Sequence, residues 1–117
     1  MRALVALATA LALQSACSGP SCQSTCTHIY ADAAGECGIA VPGYDDAEGR
    51  SRLIADCTQE CTGALQTPGA LGTYDPNIRH TSGASIVLQN EQQAAAWMNC
   101  IAASDCVDLS DGYCAPI

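Results

Sequence analysis

The side chains of this chain that could do chemistry are nine cysteines and two histidines. Two cysteine pairs share one spacing: Cys22 and Cys26 in "CQSTC", then Cys57 and Cys61 in "CTQEC". Thiols four apart can close disulfides, hold zinc, or exchange electrons. Structural zinc sites favour a two-residue gap between paired cysteines. Thiol oxidoreductases favour C-x-x-C at a helix N-terminus. Neither pattern is present, and His28 follows Cys26 by two, so there is no C-x-x-C-H haem attachment. The spacing points to structural disulfides, with no metal, no cofactor and no catalytic residue expected.

A second group of polar residues lies in "YDPNIRH": Tyr74, Asp75, Arg79 and His80 form a candidate recognition loop. Loops held on a cross-linked frame are where recognition residues concentrate. Arg79 is the only basic side chain of the mature chain outside Arg50 and Arg52, so it marks the spot most tolerant of an anionic group. His28 reads as a half-exposed helix residue rather than a base. Asp105, Asp108 and Asp111 fall three apart, whereas a calcium loop needs them two apart. They read as caps and turn residues. No nucleophile elbow, H-E-x-x-H helix, phosphate-cradling Gly loop or dinucleotide fingerprint occurs.

The elements that must position these residues follow from the apolar periodicity. Cysteines four apart share one face of a helix. Cys22, Cys26, Ile29, Tyr30, Ala33 and Cys37 continue that face, and Gly38 reads as the C-terminal cap. Leu53, Ile54, Cys57, Cys61 and Leu65 mark a second helix, which Asp45 and Glu48 open as a capping-box-like pair. Between them "GIAVPGYD" is a turn. In an antiparallel pair of helices, facing residues keep a constant index sum. Cys22 with Cys61 and Cys26 with Cys57 share the sum 83, whose midpoint falls between Val41 and Pro42, inside that turn. Cysteine positions and turn chemistry thus predict the same disulfide-stapled hairpin.

Beyond it, residues 62–89 hold four Gly and two Pro with little periodicity, apart from a short possible strand over 84–88. Asn90 and Gln93 resemble a capping box for a third helix over 91–103, with Ala94, Trp97, Cys100, Ile101 and Ser104 on one face. Trp97 is expected to anchor the core. The tail gives a short helical turn and an Asp-Gly turn. Cys37, Cys100, Cys106 and Cys114 remain, with three pairings open. Cys100 shares the Trp97 face and should look toward the hairpin, which favours Cys37–Cys100 with Cys106–Cys114. The fold class is mainly α: a disulfide-stapled antiparallel hairpin (22–65), a long irregular loop (66–89), and a third helix with a C-terminal turn (90–117). The helices' outer faces are expected to be acidic and to offer no obvious site.

Composition sets the compartment. A chain of 117 residues without Phe and with a single Trp offers a thin core. Staples of this density belong to exported proteins. "MRALVALATALALQSAC" places Arg2 before an apolar run from Ala3 to Leu13, the layout of a secretory signal over 1–16. The run is too short for a bilayer span, which needs about 20 residues. Loss of Arg2 with the signal leaves three Arg against 12 acids, a charge of −9. Such a charge repels nucleic acid and anionic headgroups.

Cys17 stands directly after this segment, and "LQSAC" resembles a bacterial lipobox, with Gln14 where Leu is usual. Nine cysteines are an odd number, and acylating Cys17 leaves eight for four bridges. Residues 17–21 would then be the tether. The twin C-x3-C motif is similar to that of small helical-hairpin chaperones of the mitochondrial intermembrane space, over the hairpin alone. With Cys17 and the C-terminal "WMNCIAASDCVDLSDGYC", the chain most resembles the small cysteine-rich lipoproteins of predatory soil bacteria such as myxobacteria. That resemblance implies a place in the outer membrane or facing the periplasm, rather than an activity. The expected function is a non-catalytic binding or structural module of the envelope, touching the membrane only through its anchor, with an unknown protein or envelope component as partner. The alternatives are a secreted disulfide-rich effector or inhibitor acting through the 62–89 segment, and a thiol-redox or other enzyme.

Overall fold

A computed structural model describes residues 19–80 and 87–115. Four helices occur among them: α1 (Cys22–Tyr30), α2 (Ala47–Leu65), α3 (Glu91–Ala103) and α4 (Cys106–Ser110). The architecture is mainly α, as expected.

Helix α1 starts at a reciprocal cap: Ser21 Oγ accepts from the Ser24 amide at 3.0 Å, and Ser24 Oγ accepts from the Ser21 amide at 2.9 Å. Cys22, Cys26, Ile29 and Tyr30 form its buried stripe. Helix α2 runs back along it, and the bridges Cys22–Cys61 and Cys26–Cys57 close with Cα separations of 5.6 and 5.9 Å. These are the two pairings the index sum predicts. The reversal between the helices includes a tight turn over Val41–Tyr44, in which the Tyr44 amide donates to the Val41 carbonyl at 2.9 Å. Pro42 sets the first turn position, and Gly43, at φ 88°, supplies the left-handed second one.

Three helix details differ from expectation. Helix α1 stops at Tyr30, seven residues before Cys37, and Ala31 is extended. Its last carbonyls find other partners: the Cys37 amide on His28 at 2.7 Å, the Ile39 amide on Ile29 at 2.9 Å, and Arg50 Nη1 on Tyr30 at 2.9 Å. The chain therefore folds back over its own helix end, and Gly38 lies in that returning loop rather than at the cap. Helix α2 is capped by Asp46, not Asp45; the Asp46 carboxylate accepts from the Gly49 amide at 2.6 Å. Leu65 is exposed, and Ala64 takes its place on the buried face.

Helix α3 spans the expected residues, and Asn90 Oδ1 accepts from the Gln92 and Gln93 amides. Ala94, Trp97, Cys100 and Ile101 are buried as anticipated, Trp97 completely. Its indole N–H donates to the Ala115 carbonyl at 3.3 Å. Of the strand expected over 84–88, residues 84–86 lie outside the described residues, and Val87 and Leu88 are irregular.

The remaining bridges are Cys37–Cys106 and Cys100–Cys114, which corrects the pairing favoured from sequence. That pairing kept Cys37 on the α1 stripe, at the end of the hairpin's first helix. Because α1 ends early, Cys37 instead swings beside His28 and meets the first residue of α4. The Asp111–Gly112 turn then brings Cys114 back to Cys100.

Candidate functional site

The expected recognition residues lie on a segment pinned to the C-terminal turn. Arg79 pairs in an antiparallel bridge with Tyr113, and the His80 amide donates to the Gly112 carbonyl at 3.0 Å. The Arg79 guanidinium reaches Asp108 at 3.2 Å and Asp111 at 3.4 Å. Its charge is therefore already matched by two aspartates, which weakens it as a receptor for an anion. Asp75 is spent locally, accepting from the Asn77 amide at 2.9 Å in an Asx turn. Tyr74 is half-buried against the core. Burial pushes its phenol up to about 12, with the Asp75 charge adding to the shift. The Tyr74 hydroxyl and His80 Nε2 are buried and meet no hydrogen-bond partner among the described residues. No hydrogen bond or ion pair joins any two of these four residues.

Of the four, Tyr74 lines a cleft of about 410 Å3 together with Thr73, Gln89, Asn90 and Gln93. Its amides are engaged in holding the segment down. Asn90 Nδ2 donates to the Ala70 carbonyl at 2.9 Å, Gln93 Nε2 reaches the Leu71 carbonyl at 3.5 Å, and Gln93 Oε1 accepts from the Gln89 amide at 2.9 Å. A larger groove, about 660 Å3, follows α2 past Ile54, Thr58 and Thr62 and is bordered by Gln23 of α1. Every side chain lining it is uncharged. No acid lines this part of the helical surface.

The sequence reading also missed a third locality. His28, on the last turn of α1, has Nδ1 at 2.8 Å from the Glu36 carboxylate and Nε2 at 3.6 Å from Cys37 Sγ. Donor atoms of His28, Cys37 and Cys106 lie within 4.8 Å of one another. The two sulfurs are bonded to each other, so neither is the thiolate a metal would need. What stands here is a carboxylate, an imidazole and a disulfide in line. Nothing in the spacing of His28, Glu36 and Cys37 announces it, because the loop that assembles them has no periodicity.

Compared with protein-family models, curated proteins and solved structures, the chain matches none. No helix of the described residues is long and apolar enough to cross a membrane. The four bridges among those residues are the mark of an oxidising, extracytoplasmic environment.

Proposed function

We propose that this chain is an exported, lipid-anchored protein of a bacterial cell envelope that acts as a non-catalytic binding or structural module. The supporting observation is the complete mutual pairing of Cys22, Cys26, Cys37, Cys57, Cys61, Cys100, Cys106 and Cys114. Of the nine cysteines in the sequence, these pairings account for all but Cys17. A thiol placed directly after an apolar leader is suited to carry a diacylglycerol thioether. Two or three acyl chains then make a stable anchor, where one would hold only marginally. The five residues 17–21 extend at most about 17 Å, so the domain sits close to the bilayer surface while its negative charge keeps it off anionic lipid. The partner is a protein or envelope component met by the 66–80 segment or the uncharged α2 groove.

Mass spectrometry of the membrane fraction tests the reading. The expected species begins at Cys17 and carries the mass of an acylated thioether. A soluble, unacylated chain would replace this proposal with a secreted effector or inhibitor.

A further inference from the structure

We propose that the Cys37–Cys106 bridge is a thiol-exchange site, opened selectively by a dithiol reductant, with His28 relaying a proton to the departing sulfur. Accessibility singles it out first. In the other three bridges no cysteine is more than 6% exposed. Cys37 and Cys106 are both only half-buried. Exchange proceeds by attack of a thiolate on one sulfur, so access decides which bridge reacts.

The imidazole supplies the second argument. Glu36 fixes the His28 ring through Nδ1, which aims Nε2 at Cys37 Sγ. The favourable direction of attack follows. A thiolate of the reductant attacks Cys106 Sγ, a sulfur–sulfur bond forms there, and the Cys37–Cys106 bond breaks. Cys37 leaves with the electron pair and takes a proton from solvent relayed through His28, whose Nε2 lies 3.6 Å from its sulfur. The second thiol of the reductant then displaces Cys106, yielding two protein thiols and one cyclic disulfide. Two electrons pass from the reductant to the bridge, and help for the leaving sulfur speeds the exchange.

Position gives the exchange a consequence. The bridge fastens the returning loop after α1 to the start of α4, whereas the hairpin and the Cys100–Cys114 closure are separate cross-links. Opening it frees this corner without releasing the hairpin.

The test uses the purified, oxidised protein under limiting dithiothreitol, with alkylation at timed intervals and peptide mapping. Cys37 and Cys106 should be labelled before the other six bridged cysteines, while Trp97 emission stays native. His28→Gln should slow that first labelling about tenfold, and Glu36→Gln should slow it less. A variant that merely loosened the fold would open faster, so the sign separates the proposed role from a structural one. Earlier opening of another bridge, or a His28→Gln rate equal to or above wild type, overturns the proposal.

Discussion

Arg50 and Arg52 stand two apart in the sequence and look alike, yet the structure gives them different work. Arg50 Nη1 donates to the carbonyl of Tyr30, the last residue of α1, where an open helix end is electronegative. Arg52 makes only a 3.8 Å contact with Glu48, both side chains being well exposed. Removing a charged donor strands a carbonyl on a residue that is 2% exposed. Arg50→Met should therefore lower stability by about 1–2 kcal/mol. Arg52→Met should change it by less than about 0.5 kcal/mol, as exposed pairs do. Urea midpoints with all bridges intact measure both, and equal effects would deny Arg50 its capping role. Sequence alone could not separate the two, because nothing in "GRSR" tells which guanidinium faces another helix.

At the scale of elements, Gly49 shows how packing overrides propensity. It sits in the first turn of α2, where Ala is intrinsically the better helix former by about 1 kcal/mol. A Cβ on Gly49 would lie 2.6 Å from the Cα of Tyr44, a backbone atom that cannot step aside. Gly49→Ala should accordingly destabilise the folded protein, lowering the thermal midpoint. A raised midpoint would mean that the Tyr44–Asp46 approach to α2 yields at little cost. Elements defined by repeated local signals were legible: α3 has its expected limits, and twin C-x3-C pairs with a Pro-Gly turn fixed the hairpin. The end of α1 was not, since residues 31–37 contain Ala31, Ala33, Ala34 and Glu36, and the partners that take the His28, Ile29 and Tyr30 carbonyls follow no local pattern. That one misplaced boundary put Cys37 on the wrong side and carried the pairing of the last four cysteines with it. The candidate site was legible as a segment, 74–80, but not as a surface. The aspartates that occupy Arg79 come from α4 and the turn after it, about thirty residues away in the chain.

The molecule as a whole divides its stability between a small core and its cross-links. Among the described residues, and apart from cysteine, the large fully buried side chains are Trp97, Tyr30, Ile29, Ile101 and Leu109. Each bridge closes a loop that, taken alone, contributes roughly 3 to 4.5 kcal/mol in the chain-entropy model. Nesting lowers the sum, because the Cys26–Cys57 loop lies inside the Cys22–Cys61 loop. Even so, the four together rival the 5–15 kcal/mol of net stability typical of a domain. Complete reduction should thus unfold the chain at room temperature without denaturant. Trp97, the single tryptophan and fully buried, reports the outcome directly. Its emission should move to the wavelength seen in concentrated guanidinium, and most of the helical circular dichroism should vanish. Opening Cys37–Cys106 alone should leave both signals near native, because the hairpin and Trp97 are held by other bridges. A fully reduced chain that kept native emission and a sharp urea transition would show a core sufficient by itself. The cysteines would then guard against unfolding in a harsh compartment rather than create the fold.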